Sequence, residues 1–228
     1  MKKAKNIKIV SVDLFRTLVD IEPTSQTIWR NFLRDKYPPE LSKQYEQRAD
    51  EIIWKRWDAA GYGNTDFKTV RMILEDSVTE LFHEINLNLD PIKAADSLIF
   101  DHNLKTVFED AQPFLQKAGQ KYTVCVCSDA DKEMLTGIRK LYPFDAMFVS
   151  ETMQLYKQNQ GFFQQVIKHY QVAPECILHI GDSKSDIITP KELGVQTCWL
   201  NRRNAQWEFP VEPDFKVNTL LEILDLLD

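Results

Sequence analysis

No apolar run in the sequence approaches the roughly 20 residues that a bilayer-spanning helix requires, so no membrane segment is expected. The opening Met1-Lys2-Lys3-Ala4-Lys5 has the charge of a secretory leader. The apolar stretch behind it, Ile7 to Val12, is too short and is broken by Lys8, so no leader and a cytoplasmic address are expected. An excess of positive charge is also missing. Against 34 acidic residues stand 28 basic ones, a net −6, which leaves no basic footprint for nucleic acid. Cysteines are few: Cys125, Cys127, Cys176 and Cys198 all sit in short apolar runs. Cys125-x-Cys127 lacks the second pair or nearby histidine that a tetrahedral metal set needs, so these read as buried thiols. His83, His102, His169 and His179 share no ligand spacing, and His179 reads as a packed core residue inside a strand. There is no internal repeat and no low-complexity segment.

What remains is an ordinary globular composition. The 228 residues are 43% hydrophobic and 27% charged, too apolar for disorder and long enough for one α/β domain with an insertion or two small domains. Short β-branched or apolar runs at Ile7–Val12, Tyr122–Cys127, Ala146–Val149, Cys176–Ile180, Val195–Leu200 and Asp214–Val217 read as strands buried on both faces. Helical patterns at Gln160–Tyr170, Ile187–Leu193 and Leu220–Leu227 separate or follow the later ones. Gly119 and Gly194 mark helix ends, and Pro113 and Pro174 mark turns or helix starts. This alternation predicts an α/β fold with a doubly wound, Rossmann-like parallel sheet.

Residues 21–105 break the alternation. Phe67, Val70, Leu74, Val78, Leu81 and Ile85 recur at spacings of three and four, as do Leu41, Tyr45, Ala49 and Ile52 on a helix that Gly61 can end. The expected organisation is therefore a core of residues 1–20 and 106–228 with an all-helical domain, 21–105, inserted between the first two strands. Such an insertion is placed to cover the carboxyl ends of the strands, where open α/β sheets bind ligands. Trp29, Trp54 and Trp57 with Arg30, Arg48 and Arg56 are candidates for lining a pocket there. On an amphipathic helix such residues more often serve packing and a solvated face.

Several strand ends carry chemistry. The first ends in Val12-Asp13, the second in Ser128-Asp129, and the fourth in Gly181-Asp182-Ser183-Lys184-Ser185-Asp186. An Asp at one strand end also fits a turn or helix cap. Three carboxylates at one edge, with Lys157 from the loop after the third strand, would repel one another unless a cation or the lysine neutralised them. A set of oxygen donors with no histidine favours a hard ion, Mg²⁺, over zinc.

These motifs resemble those of the haloacid dehalogenase superfamily in order and spacing. Asp13-Leu14-Phe15-Arg16-Thr17-Leu18 is similar to its first motif, Asp-x-x-x-Thr-Leu, and Ser128 to its second. Tyr156-Lys157 through Phe162-Phe163 is similar to its third, and Gly181 to Asp186 to its fourth. Trp199-Leu200-Asn201-Arg202 resembles the dehalogenase-like branch. The resemblance covers roughly residues 7–20 and 110–228, whereas the helical insertion agrees only in position and helix content.

The resemblance implies a hydrolase in which Asp13 attacks the electrophile and carries an aspartyl ester, Ser128 binds the transferring group, and Lys157 offsets charge. It further implies Mg²⁺ held by Asp13, the Phe15 carbonyl and Asp182, with Asp186 as a ligand or just behind one. The expected partner is a small anionic substrate, taken by a monomer or homodimer. Two departures stand out. Phe15 replaces the second Asp that phosphatases of this family use as acid and base, and Arg16 replaces the usual Gly or Asp. Dehalogenases lack that second Asp too, but carry Ser-Ser-Asn at the place of Gly181-Asp182-Ser183 and use no metal. The chain thus joins a dehalogenase-like first motif to a phosphatase-like fourth. Three readings follow: a Mg²⁺-dependent phosphatase-type hydrolase, a metal-independent 2-haloacid dehalogenase-type C–X hydrolase, and a binding or regulatory protein on the same fold.

Overall fold

The computed structural model describes residues 3–21, 39–62, 66–103 and 106–227. Trp29 and Arg30 lie outside these residues, as does the side chain of Leu41. Six strands form one parallel sheet: β1 (Ile9–Val12), β4 (Thr123–Ser128), β5 (Met147–Val149), β6 (Ile177–Gly181), β7 (Gln196–Leu200) and β8 (Phe215–Val217). Their spatial order is β5-β4-β1-β6-β7-β8. The α/β, doubly wound architecture expected from strand–helix alternation is therefore present. Chain order runs outward in both directions from β1, and the reversal beside it opens a crevice at the carboxyl ends of β4, β1 and β6.

Every residue of β1 is buried, as its Ile-Val-Ser-Val sequence requires of a central parallel strand. Flanking helices are α4 (Ala111–Ala118), α5 (Ser150–Met153), α6 (Gln160–Tyr170), α7 (Lys184–Glu192) and α8 (Leu220–Leu227). The first turn of α7 begins three residues earlier than the apolar pattern suggests. There the Ser183 amide donates to Asp186 Oδ2 at 3.0 Å, which closes the turn ahead of the first apolar residue. Phe162 and Phe163 of α6 pack with Ile9, Cys125 and Cys127 beneath the sheet. All four cysteines are free, and Cys125, Cys127 and Cys198 are buried as expected, whereas Cys176, just ahead of β6, is partly exposed.

Among the described residues three helices occupy the insertion: α1 (Pro39–Tyr62), α2 (Val70–Glu84) and α3 (Pro91–Asn103). The residues of the predicted periodicity that lie on α2, Val70, Leu74, Val78 and Leu81, are all buried. One feature departs from the sequence expectation. Val19–Asp20 (β2) and Thr106–Val107 (β3) form a two-stranded antiparallel sheet at the two crossings between the core and the helices. Two residues per strand carry no readable alternation, so pairing partners almost ninety positions apart leave no local signal.

Core residues grip the start of α2. The Asp131 carboxylate, in the loop after β4, accepts from the amides of Val70 (3.0 Å) and Arg71 (2.7 Å). It thereby satisfies helix-end donors that would otherwise lack partners. The Arg71 guanidinium in turn grips Glu133 of the core at 2.6 Å and Asp96 of α3 at 2.6 Å. Among the described residues no helix is long and apolar enough to cross a membrane.

Candidate active site

Asp13 leaves β1 where the strand stops, with its amide still bonded to the Ile180 carbonyl at 2.9 Å. Immediately after it the chain turns back on itself. The Leu14 carbonyl receives the amides of Leu18 and Val19 at 2.8 and 2.9 Å, and Arg16 donates to Val19 at 2.7 Å. Arg16 adopts φ 64°, the left-handed conformation that glycine takes without strain. Its guanidinium lies 5.6 Å from the Trp54 ring of α1, so the loop after Asp13 touches the helical insertion. From the other side Arg202, after β7, holds Asp110 through both nitrogens and the Thr17 carbonyl at 2.9 Å.

Lys157 lies at the centre of the cluster. Its ammonium donates to Asp13 Oδ1 at 2.7 Å and to Asp186 Oδ1 at 2.5 Å, with all three side chains buried. The Lys157 amide donates to Asp129 Oδ1 at 2.9 Å, so the residue after Ser128 fixes the lysine loop. Burial alone would discharge the ammonium, but Asp13, Asp186 and Asp129 outweigh it and hold the pKa well above the ordinary lysine value. Asp186 is buried too, yet Lys157 and His179 keep its carboxyl below the usual range.

Asp182 completes the group. Carboxylate oxygens of Asp13, Asp182 and Asp186 lie within 4.8 Å of one another. Burial first, then repulsion from Asp186 and Asp13, pushes the Asp182 carboxyl up to about 7, although Arg16 and Lys157 oppose the shift. The same burial raises Asp13, partly offset by Lys157, and lifts Asp129 to about 6. Trp199 of β7 pins the Asp182 carbonyl through its indole N–H at 3.0 Å. Asp186 accepts four hydrogen bonds in all: from Lys157, from His179 Nε2 (3.0 Å), and from the Ser183 amide (3.0 Å) and hydroxyl (2.5 Å).

The fold thus brings Asp13, Lys157, Asp182 and Asp186 to one point. Ser128 ends the neighbouring strand, fully buried, while Phe15 is half-buried against the core. Arg48 pairs with Glu84 and Glu51, and Arg56 with Glu80 and Asp76, so both cap arginines are engaged by acidic partners. Lys184 reaches Asp58 of α1 at 3.2 Å and forms a bridge between core and insertion. Trp57 packs on Tyr156 at 5.6 Å. In the sequence His179 reads only as packing, Asp129 only as the residue after Ser128, and Asp131 and Ser11 carry no mark at all. The period of two along β6 was the available signal. It puts His179 on the same face as Gly181, directly under the site.

A parallel sheet carrying an aspartate at the tip of its central strand, a lysine beside it and two more carboxylates on the next crossover defines the class. Residues 7–194 match the family of haloacid dehalogenase-like hydrolases, and the chain belongs to that family. It is 26% identical over 217 residues to PpaX of Clostridium perfringens, provisionally named a pyrophosphatase, covering 94% of this chain and 86% of that protein. It is 21% identical to glyceraldehyde 3-phosphate phosphatase of Pyrococcus furiosus, covering 98% of this chain and 94% of that one. Among solved structures, magnesium-bound YfnB of Bacillus subtilis shares the fold at TM-score 0.82 and 18% identity, covering 98% of this chain and all of that one. The L-2-haloacid dehalogenase of Xanthobacter autotrophicus, with chloropropionic acid covalently bound, shares it at TM-score 0.77 and 18% identity, covering 96% and 98%.

Proposed function

We propose that the protein is a Mg²⁺-dependent hydrolase of small phosphorylated substrates, acting through an aspartyl ester on Asp13. The observation that carries this reading is Asp182. Its oxygen lies with those of Asp13 and Asp186 within 4.8 Å, in an all-oxygen set that favours a hard divalent ion. Burying these carboxylates together raises Asp182 to about 7 and raises Asp13, a cost that a divalent cation removes. Asp13, Asp182 and the Phe15 carbonyl are the groups that would hold the ion. Asp186, with four protein donors on its oxygens, serves Lys157 instead. When bound, Mg²⁺ neutralises the anionic substrate and helps align it.

The chain's own groups do the rest. Lys157 occupies Asp13 Oδ1, so Oδ2 is the attacking oxygen. It forms a bond to phosphorus while the leaving-group oxygen departs with the electron pair of the broken P–O bond. Ser128 donates to the transferring group, and the Lys157 ammonium offsets its growing charge. Water then attacks the phosphorus of the aspartyl phosphate, losing its proton to the released phosphate, while the P–O bond to Asp13 breaks with its electron pair returning to the carboxylate. Phe15 offers no proton to the leaving group, so leaving groups of low pKa are favoured. The relatives named as phosphatases support this reading.

Phe15 also favours one other reading, metal-free displacement of halide from a 2-haloacid, since halide departs without a proton. Asp182 discriminates, because that chemistry has no use for it. A screen of phosphorylated and halogenated acids with and without Mg²⁺ tests both. Phosphate release that EDTA abolishes is expected, and halide release unaffected by EDTA would reverse the assignment.

A further inference from the structure

Beneath the catalytic edge lies a polar pair that the proposed chemistry leaves unused. Ser11 of β1 and His179 of β6 are register partners at the centre of the sheet, and both are buried. Ser11 Oγ is 2.9 Å from His179 Nδ1, and His179 Nε2 is 3.0 Å from Asp186 Oδ1. The ring is clamped edge-on by Phe163, with centroids 4.9 Å apart. The chain of contacts continues from Asp186 Oδ1 through Lys157 Nζ to Asp13 Oδ1.

The partners dictate where hydrogen sits. An ionised Asp186 only accepts, so Nε2 must carry the hydrogen. On the other side of the ring Nδ1 meets the Ser11 hydroxyl, which can donate or accept. Asp186 Oδ1 therefore receives two donors, Nε2–H and the lysine, which fix the rotation of the carboxylate and the direction of Lys157. An apolar residue at 179 would remove the Nδ1 contact of the buried Ser11 hydroxyl and one of the two donors on Asp186 Oδ1.

We infer that His179 is a positioning residue, steadied by Ser11, that donates from Nε2 to Asp186 and orients it so that Lys157 is aimed at Asp13. The rate side of its test rests on the phosphatase reading; the Nε2–H bond does not.

Two measurements decide it. Imidazole ¹⁵N spectra of metal-free protein, assigned by the signal missing in His179→Gln, should show hydrogen on Nε2. A ring carrying hydrogen on Nδ1 alone would overturn the inference whether or not any substrate is turned over. With p-nitrophenyl phosphate and Mg²⁺, His179→Gln, whose amide nitrogen replaces Nε2, should stay within about threefold of wild type. His179→Asn, which reaches only toward Ser11, should lose about tenfold to a hundredfold in kcat with KM nearly unchanged. Equal rates for folded Gln and Asn variants would reduce His179 to a satisfied core residue.

Discussion

Gly181 and Asp186 approach so closely that a Cβ on Gly181 would lie 2.2 Å from the Asp186 Cγ. No side chain fits there, which explains why a glycine ends β6. Gly181→Ala should displace the carboxylate that Lys157 depends on and overpack the turn. A loss of about 1–3 kcal/mol in stability is expected, with at least a tenfold fall in kcat. Thermal denaturation and steady-state kinetics check this, and an unchanged melting temperature would mean that the turn has slack.

Asp13→Asn preserves shape and removes the attacking charge. Turnover of every substrate should vanish while circular dichroism and the melting transition persist. A folded variant keeping more than roughly a tenth of the wild-type rate would exclude covalent catalysis at Asp13.

Metal affinity should depend on pH through Asp182, raised to about 7 by burial and by its acidic neighbours. A carboxyl whose folded value lies above its unfolded value of about 3.9 contributes stability at low pH. That contribution is lost as pH rises through about 7, so the metal-free fold weakens over this window. Mg²⁺ needs the ionised form, and Asp13 is shifted in the same direction. Affinity measured by calorimetry should therefore fall by up to about tenfold per pH unit below 7 and level off above it. Asp182→Asn should remove most of the binding. A flat affinity between pH 5.5 and 8 would contradict the assignment of Asp182 to the ion.

Phe15 sets the last expectation. With a phenyl ring where an acid would stand, rates should drop steeply as the pKa of the leaving group rises, and the aspartyl ester should persist long enough to trap. Phe15→Asp should raise hydrolysis of alkyl phosphates by up to about 10²-fold, at some cost in packing, because the ring rests against the core. A folded, Mg²⁺-binding Phe15→Asp protein with unchanged rates would move the C–X and non-enzymatic readings ahead.

The strands and the helices of the core were legible because buried parallel strands read as short apolar runs and amphipathic helices keep their period. Asp13, Ser128 and Asp182 announced themselves as polar residues at the ends of such runs. Ser11 and His179 did not. A polar residue inside a buried strand looks like an exception until the register shows that the two face each other. Asp131 gave no signal at all, since the helix it caps begins about sixty residues earlier in the chain. Arg16 was visible as a departure, but its left-handed backbone and its contact with Trp54 were not.

The short β2–β3 ladder also fixes where strain from the insertion would enter the core. Val19 faces Val107 and Asp20 faces Thr106, so the polypeptide re-enters the core beside the point where it left. Trp54 on Arg16, Trp57 on Tyr156 and Asp58 on Lys184 add three further ties, each next to a loop that carries Asp13, Lys157 or Asp182. A shift of α1 is therefore felt at all three loops at once.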